Sequence, residues 1–250
     1  MPAETQKTEQ KQPQPGEKAV AAMFGRIVRW YDPLNRLLSL GLDQGWRAVL
    51  AQTALAGFEN TADLRALDLA AGTLDVSLAL HARRPDAHIT AMDFCQPMLE
   101  RGRAKLKTPA LQAAISTATA DARALPLPDA SFHTVTMAFG IRNIAPRIKA
   151  MREMHRVLMP GGRACILEFG SGRQRIWKGV YNFYLDSILP LMGKFFSGDS
   201  AYAYLARTIR EFPTADELAD ELLEAGFGSV YHLPLTSGIV RLHVAEKRAE

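Results

Sequence analysis

The stretch Arg65–Asp75 reads RALDLAAGTLD and decides the fold class. Its first half, Arg65–Ala70, has the short apolar pattern of a strand. Ala71–Thr73 then forms a tight turn of small residues, and a helical stretch continues through about His81. A strand, a tight turn and a helix in this order begin a crossover connection, which joins parallel strands of one sheet.

The strand pattern returns further along the chain. His88–Met92 is a second predicted strand, which ends at Asp93 and is followed by a predicted helix at Gln96–Leu106. Strands separated by helices predict a parallel sheet with helices on both faces. The other predicted elements of this part are strands at Gln112–Thr117, Thr134–Phe139 and Ala164–Phe169, a helix at Arg147–Leu158 and a turn at Pro160–Gly162.

Segments before and after this unit extend it to a single predicted domain, residues 19–247. Residues 1–18 are rich in Gln, Lys, Glu and Pro and have little to bury, so they are predicted to be a disordered tail. Residues 19–57 carry apolar side chains at helical spacing, including a helix from about Gly41 to Ala56, and predict a helical cap.

The C-terminal part predicts two antiparallel strands. A helix at Thr214–Ala225 stops at Gly226, a residue that suits the left-handed end of a helix. Strand-like runs at Gly228–Leu235 and Ile239–Glu246 follow, joined by Thr236–Gly238. Together with the strands above, the predicted fold class is α/β: a Rossmann-like, seven-stranded, mostly parallel sheet that closes with an antiparallel C-terminal hairpin.

Composition excludes several classes of protein. Of 250 residues, 48% are hydrophobic and 22% charged, as in ordinary globular domains and unlike disordered or fibrous proteins. The formal charge of +4 is not gathered into Lys/Arg runs, so no nucleic-acid partner is expected. Cys95 and Cys165 have no Cys/His cluster around them and are predicted to be buried, reduced thiols. No segment has the ~20 apolar residues of a membrane span and no signal core follows Met1, so a cytoplasmic protein is expected.

Candidate ligand-binding residues lie where the predicted strands end, because ligands bind beyond the carboxyl ends of an open parallel sheet. Gly72 lies in the first strand-to-helix turn, where small residues and N–H donors either bind a ligand or simply make the turn. Asp93, about 20 residues further on, either accepts bonds from ribose hydroxyls or caps the next helix. Asp121 beside Ala122 either receives an adenine amino group in a narrow slot or is a solvated loop acid.

These nucleotide signals fit both hydride and methyl transfer. A nicotinamide enzyme would use a similar turn and acid, but Asp75 stands where the third glycine of G-x-G-x-x-G is needed. The fourth strand end, Phe139–Asn143, reads FGIRN, with a glycine hinge and two polar side chains, Arg142 and Asn143, expected at the crevice. The choice between the two reactions begins at this segment.

The FGIRN segment and several others make the chain similar to the ubiquinone/menaquinone biosynthesis C-methyltransferases. The similar segments follow one another in the family's order and spacing from about Phe24 to Lys247. The resemblance implies a class I methyltransferase that uses S-adenosylmethionine and methylates a ring carbon of a prenylated quinol, demethylmenaquinol or a ubiquinol precursor. The segments are Tyr31–Asn35 with Ser39 and Trp46; Arg156–Leu158 with Pro160–Gly162 and Leu167–Phe169; Tyr202 with Tyr204–Leu205; and Leu235–Val240.

The resemblance also implies the cofactor-binding residues. Thr73 would contact the methionine portion of S-adenosylmethionine, Asp93 the ribose, and Asp121 with Ala122 the adenine. No metal is expected, because none of the six His residues forms a ligand cluster. The full set of expected cofactor-binding residues is Asp68, Gly72, Thr73, Asp93, Met98, Asp121, Ala122 and Ala138.

Four residues are candidates for catalysis. Methyl transfer to a ring carbon needs in-line alignment and removal of a phenolic proton. Arg142 and Asn143 are expected to polarise or orient the quinol oxygens, and Tyr31 and Asp32 of the cap to close over the ring. Asp32 is the only ordinary base among them, although its place before Pro33 equally suits a cap or turn residue.

Residues 172–210 form an expected insertion, rich in apolar and aromatic side chains between Ile176 and Phe196 and basic at its edges. Such a segment suits a lid over the prenyl chain that also touches a membrane surface. A dimer-forming or core helix is the alternative. The expected partners are therefore the prenylated quinol, a membrane surface contacted peripherally and, in the alternative, a second copy of the chain.

Two positions depart from the family pattern on the cofactor side. Leu74 stands where the family usually has glycine, so a bulky side chain and a disfavoured positive φ are expected where cofactor and backbone meet. Ala138 replaces a usual serine and removes a hydroxyl group. These changes leave open a second hypothesis: a catalytically impaired or substrate-diverged relative that binds a quinone or lipid in a biosynthetic complex.

Overall fold

The computed structural model describes residues 25–170 and 207–249. The predicted tail, residues 1–18, lies outside these ranges, as do residues 19–24 of the predicted cap and residues 172–206 of the expected lid insertion. The described residues comprise one sheet, helices on both of its faces and most of the cap.

Seven strands form the sheet: β1 (Arg65–Leu69), β2 (His88–Asp93), β3 (Ile115–Thr119), β4 (Phe132–Ala138), β5 (Leu158–Phe169), β6 (Ser229–Leu235) and β7 (Val240–Glu246). Their order across the sheet is β3-β2-β1-β4-β5-β7-β6. The first five pair in parallel, whereas β7 pairs antiparallel with both β5 and β6. The predicted mostly parallel sheet with an antiparallel C-terminal hairpin is confirmed.

The helices whose bounds lie wholly within the described residues are α1 (Tyr31–Leu38), α2 (Leu42–Leu55), α3 (Asp75–Arg83), α4 (Gln96–Arg103), α5 (Pro109–Ala114), α6 (Arg147–Val157) and α7 (Ala215–Glu224). Helix α3 connects β1 to β2, α4 and α5 connect β2 to β3, and α6 connects β4 to β5. Helices α1 and α2 belong to the cap, and α7 precedes the C-terminal hairpin.

Apolar side chains fill the space on both faces of the sheet. On one face, Leu50 of α2, Leu80 of α3 and Leu99 of α4 are fully buried in one cluster. On the other face, Met151 of α6 and Leu222 of α7 belong to a second cluster. Because both faces are covered, Ala66, Leu67 and Leu69 of the central strand β1 are all buried, although side chains alternate between the two faces.

The cap is anchored over the carboxyl ends of β4 and β5. Trp46 of α2 donates from Nε1 to Thr236 Oγ1, in the turn between β6 and β7, at 2.8 Å. Its ring centre lies 6.2 Å from that of Phe139 and 6.3 Å from that of Phe169. These contacts place the cap at the edge of the sheet where ligands are expected.

The predicted strand at Gln112–Thr117 is wrong in its first half, which is helical. Thr108 Oγ1 accepts a hydrogen bond from Leu111 N–H at 3.3 Å, and Pro109 occupies the first position of α5. A threonine cap followed by proline is a typical helix start, and here it outweighs the apolar run that suggested a strand. Strand β3 begins only at Ile115.

Pro160–Gly162 lies inside β5 and not in a separate turn. The strand begins at Leu158, and its register with β4 shifts near this start. A Cβ at Gly162 would lie 2.8 Å from His133 O, so glycine allows the two backbones to approach closely. The expected turn is therefore an irregular strand start.

Other predictions concern the cap and the thiols. Helix α1 was not predicted as a separate element; Pro33 falls in its first turn, where the missing N–H breaks no helical hydrogen bond. Cys95 and Cys165 are both buried, as predicted. Among residues 25–170 and 207–249, no helix is long and apolar enough to cross a membrane.

Candidate active site

A cleft opens at the carboxyl ends of β1, β2 and β4, the edge at which the sequence predicts ligand binding. It encloses about 890 Å³ of empty space, part of it open to solvent. Four of the twelve predicted site residues do not line the cleft but support the residues of its wall: Asp32, Asp68, Thr73 and Arg142. The predicted site residues that line the cleft are Tyr31, Gly72, Asp93, Met98, Asp121, Ala122, Ala138 and Asn143.

Asp93, the last residue of β2, fixes the turn that follows β1. Its Oδ2 accepts a hydrogen bond from Gly72 N–H at 2.8 Å, and its Oδ1 accepts one from Cys95 N–H at 2.8 Å. Burial raises the pKa of the Asp93 carboxyl, while the backbone N–H groups act to lower it. Each carboxylate oxygen retains a further acceptor site, so Asp93 can also accept bonds from ligand hydroxyl groups.

Two glycines lie on the cleft floor, and at one of them, Gly140, a larger residue would clash. Gly72 has a left-handed φ of 52°, and a Cβ there would lie 3.5 Å from Met98 Cε. A Cβ at Gly140 would lie only 2.5 Å from Ala70 Cβ. Strands β1 and β4 are each followed by a left-handed residue, Ala70 (φ 51°) and Phe139 (φ 57°), and such backbone strain clusters at binding sites.

Leu74 lies just before α3 and has a left-handed backbone with φ 68°. Its side chain is fully buried in the core cluster beneath the turn, and not in the cleft. Gly102 of α4 provides the space, since a Cβ there would lie 2.5 Å from Leu74 Cγ. The expected positive φ at Leu74 is therefore confirmed and stays an unfavourable conformation for leucine. The expectation that its side chain would crowd the cofactor side is wrong.

Asp68 of β1 lies beneath the cleft and ties its strand to two neighbouring elements. Its Oδ2 accepts from Ser77 Oγ of α3 at 2.6 Å, and its Oδ1 accepts from Thr136 Oγ1 of β4 at 3.1 Å. Burial raises the pKa of Asp68 to about 7, although these hydroxyl bonds act to lower it. Predicted to bind the cofactor, Asp68 is placed where it supports the strand-to-helix turn.

Asp32, Thr73, Asp75 and Lys105 form a group that we call the cap latch. Thr73 Oγ1 donates to Asp32 Oδ1 at 2.5 Å, and Lys105 Nζ pairs with Asp32 Oδ2 at 2.7 Å. Lys105 Nζ also pairs with Asp75 Oδ1 at 2.6 Å. Both carboxylate oxygens of Asp32 are thus engaged outside the cleft lining, by Thr73 and Lys105, two partners that neither of its predicted roles included.

An ion pair between Asp121 and Arg123 lies at the cleft wall. Arg123 Nη2 lies 2.7 Å from Asp121 Oδ2, and Arg123 Nη1 donates to Ala145 O at 2.7 Å. The Arg123 guanidinium lowers the pKa of the Asp121 carboxyl. Arg123 also lines the cleft and was missed from the sequence, although a basic residue two positions after the candidate acid was a visible signal.

Tyr31 and Asn143 bring polar side chains to the cleft from two directions. Tyr31 begins α1 of the cap, and Asn143 ends the short 3₁₀ turn that follows β4. Burial raises the pKa of the Tyr31 phenol, and the positive charges of Arg47 and Arg142 act to lower it. The positive charges of two buried arginines therefore act on a phenol that lines the cleft.

Arg142 is buried behind the cleft wall in an ion pair. Its Nη1 donates to Glu168 Oε1 at 2.5 Å and to Phe139 O at 2.7 Å. The Arg142 side chain is 8% exposed and that of Glu168 only 1%. Sequence reasoning gave Glu168 no role, because its only signal was its place in the Leu167–Phe169 segment of the family resemblance.

Known proteins with similar sequences are methyltransferases of quinone biosynthesis. The model of the ubiE/COQ5 methyltransferase family matches residues 9–247. The chain is 41% identical over 233 residues to the ubiquinone/menaquinone biosynthesis C-methyltransferase UbiE of Geotalea uraniireducens, covering 93% of this chain and 97% of that protein. It is 42% identical over 226 residues to the demethylmenaquinone methyltransferase of Thermus thermophilus, covering 90% and 100%.

Solved structures share the fold at low sequence identity. The [4+2]-cyclase SpnF has a TM-score of 0.67 at 16% identity, covering 95% of this chain and 98% of that one. A SAM-dependent methyltransferase of Thermotoga maritima has a TM-score of 0.58 at 17% identity, covering 91% and 99%. These likenesses show the α/β fold alone. The family is shown by the family model and the close relatives: this chain belongs to the ubiE/COQ5 methyltransferase family.

Proposed function

We propose that this chain transfers a methyl group from S-adenosylmethionine to a ring carbon of a prenylated quinol, with demethylmenaquinol as the substrate. The observation that carries the proposal is the turn after β1, where Asp93 holds Gly72 N–H at the floor of the cleft. Relatives named UbiE and demethylmenaquinone methyltransferase support it. The second hypothesis, an impaired relative, loses its main support because Leu74 lies in the core.

The residues of the cleft fit S-adenosylmethionine. Because Gly140 has no Cβ to meet Ala70, the ends of β1 and β4 form a floor on which a ligand can lie. Asp93 would bind the ribose hydroxyls, and Asp121 with Ala122 the adenine. The residues proposed to hold the cofactor are Gly72, Asp93, Met98, Asp121, Ala122 and Ala138, with Asp68 and Thr73 supporting the turn.

Tyr31 and Asn143 are proposed to contact the quinol oxygens, since both bring polar groups to the cleft wall. The ring of Phe139 offers an apolar face against which the quinol ring can stack. Arg142 and Asp32 would act from behind the wall, Arg142 through its charge and Asp32 by holding the cap. A closed cap would exclude water and align the ring carbon with the methyl donor.

Methylation at carbon depends on control of the quinol's proton. When bound, S-adenosylmethionine supplies an electrophilic methyl group on a positively charged sulfur. A quinol hydroxyl that loses its proton makes the ring carbon a better nucleophile. The charges of Arg47 and Arg142, which act to lower the pKa of the Tyr31 phenol, would favour this loss in a quinol hydroxyl beside Tyr31.

The prenyl tail of the proposed substrate suggests where the protein works. We propose peripheral contact with the cytoplasmic face of a membrane, where such a quinol resides. The insertion at residues 172–210, which lies mostly outside the described residues, is the proposed lid over the prenyl chain. A homodimer formed through this insertion stays the alternative prediction.

Methyl transfer from labelled S-adenosylmethionine to short-chain quinols tests the proposal. Demethylmenaquinol is expected to accept the label, and a demethoxy-type ubiquinol analogue shows whether the substrate range is wider. Titration calorimetry with S-adenosylmethionine is the companion measurement. No measurable binding would overturn the enzyme proposal, and binding without transfer to either quinol would overturn the proposed substrate.

A further inference from the structure

The ion pair of Glu168 and Arg142 leaves two of its own atoms unsatisfied. Glu168 Oε1 accepts from Arg142 Nη1 and from Phe169 N–H, the latter at 3.0 Å. Among the described residues, however, Glu168 Oε2 and Arg142 Nε are buried without a hydrogen-bond partner. Buried polar atoms without partners destabilise a folded protein, so such a pair is a poor device for stability alone. Its position at the cleft points to another role.

The pair fixes a turn that supplies part of the cleft wall. Arg142 Nη1 also donates to Phe139 O, and the Arg142 guanidinium lies 5.7 Å from the centre of the Phe169 ring. Phe139 and Asn143, on either side of Arg142 in the chain, both line the cleft. Glu168, near the end of the neighbouring strand β5, thus determines where the Arg142 side chain lies.

The charge of Arg142 also reaches a phenol in the cleft. The positive charge of Arg142 acts to lower the pKa of Tyr31 against the effect of burial. Burial raises the pKa of Glu168, and its ion pair with Arg142 acts in the opposite direction. Because the Glu168 carboxylate lies 2.5 Å from Arg142 Nη1, we expect its negative charge to offset part of the effect of Arg142 on a quinol hydroxyl beside Tyr31.

We propose that Glu168 is a positioning residue for methyl transfer, which holds the Arg142 guanidinium behind Phe139 and sets the net charge acting on the quinol hydroxyl. This inference rests on the proposed quinol methylation. Other charged and titratable groups face the same region from the packed elements. They are Tyr31 of α1, Arg47 of α2, Asp93 of β2, and Arg241, which lies opposite Glu168 in the β5–β7 register and whose guanidinium contacts His232.

Glu168→Gln keeps the size of the side chain and removes its negative charge. We expect turnover to fall by about 10- to 100-fold, because a less firmly held Arg142 misplaces the turn at the cleft wall. The affinity for S-adenosylmethionine, measured by calorimetry, is expected to stay unchanged. The pH of half-maximal turnover is expected to move down, because an Arg142 charge that is no longer offset favours the deprotonated quinol.

Arg142→Gln and Glu221→Gln are the matched comparisons. Arg142→Gln should move the pH of half-maximal turnover up, since the positive charge itself is lost. Glu221→Gln breaks another two-bond ion pair, in which Arg147 Nη2 and Nε lie 2.6 and 3.0 Å from the Glu221 carboxylate oxygens. This pair lies between α6 and α7, away from the cleft wall, so turnover and its pH profile should not change.

If Glu168→Gln and Arg142→Gln lower the melting temperature but leave the pH profiles of turnover unmoved, the ion pair is merely structural. That result would overturn the inference. Equal losses of cofactor affinity and turnover would do the same. If Glu168→Gln does not fold, Glu168→Asp keeps the charge on a shorter side chain. It should lower turnover without moving the pH profile, and a moved profile would count against the inference.

Titration of the Tyr31 phenol tests the charge effect without any turnover. Its ultraviolet signal is isolated as the difference between each protein and the same protein carrying Tyr31→Phe. The pKa of Tyr31 should be lower in Glu168→Gln than in the unchanged chain, and an equal or higher pKa would overturn the inference. If the unchanged chain methylates no quinol, the proposed function fails, while this titration still decides whether Glu168 sets the charge at the cleft.

Discussion

Gly102→Ala should displace Leu74 together with the turn Ala71–Thr73 after β1, which is proposed to bind the cofactor and is called the cofactor turn below. The new Cβ would lie 2.5 Å from Leu74 Cγ, 3.1 Å from Leu74 Cδ1 and 3.0 Å from the carbonyl carbon of Thr73. Two of these atoms belong to a fully buried side chain and the third to the backbone of the turn. Since protein cores are close-packed, none of them can move aside freely.

The size of the effect follows from two opposing contributions. Overpacking a core typically destabilises it by about 1–3 kcal/mol. Alanine in place of glycine within a helix stabilises by about 0.5–1 kcal/mol. Gly45→Ala in α2 is the matched control, because a Cβ at Gly45 would meet no atom within 4 Å and only the helix effect should remain. The two variants should therefore differ by about 1–3 kcal/mol in free energy of unfolding.

Urea unfolding of the full chain measures this difference, and titration calorimetry measures the affinity for S-adenosylmethionine. Affinity should fall in Gly102→Ala because Thr73 belongs to the cofactor turn. Leu74→Ala should relieve most of the clash, so a double-mutant cycle of the two changes should show a coupling energy of about 1–3 kcal/mol. Equal stability of Gly102→Ala and Gly45→Ala, or additivity of the two changes, would refute the packing of Leu74 on Gly102.

Three further predictions concern the ionisable groups around the cleft. Asp93→Asn should weaken S-adenosylmethionine binding by about tenfold or more, because a charged acceptor of two backbone N–H bonds is lost; unchanged affinity in calorimetry would refute its binding role. Lys105→Met should lower the free energy of unfolding by about 1 kcal/mol or less, because its pairs with Asp32 and Asp75 are partly exposed; the loss should shrink in high salt, and a salt-independent loss would contradict an ionic latch. The Asp68 carboxyl has a pKa of about 7 when folded against an ordinary value of 3.8, so the folded state binds more protons and stability falls as pH rises from about 4 to 7. Asp68→Asn should reduce that fall in stability. Parallel curves of melting temperature against pH for the variant and the unchanged chain would contradict the raised pKa of Asp68.

The side of the cleft that is proposed to bind the cofactor was predictable, because its residues are fixed by strand ends. Gly72 follows β1 and Asp93 ends β2, and parallel strands bring such residues to one edge of the sheet. The hydrogen bond of 2.8 Å between Gly72 N–H and Asp93 Oδ2 confirms that the two residues lie together. Asp121 and Asn143 reach the cleft for the same reason, since each follows a strand of the same sheet.

The direction of side chains and the pairing of distant residues were not predictable. Whether Leu74 enters the cleft or the core depends on the space that Gly102 leaves, and nothing in the sequence connects these two positions. The pairing of Arg142 with Glu168 depends on how β5 lies beside β4, and one sequence does not contain strand register. The ion pair between Asp32 and Lys105 was not predictable for a similar reason, because it joins residues that are distant in the sequence.

The cap latch connects the cap to the turn after β1, which is proposed to bind the cofactor. Asp32 belongs to the cap, whereas Thr73 belongs to the turn and Asp75 begins the helix after it, so a movement of the cap would change the free energy of the turn. Such linkage is reciprocal: if an occupied turn favours the closed cap, a quinol held under the cap must raise the affinity of the turn for cofactor by the same factor. The cooperativity should be equal when measured from either ligand, and it should weaken when Lys105 is replaced.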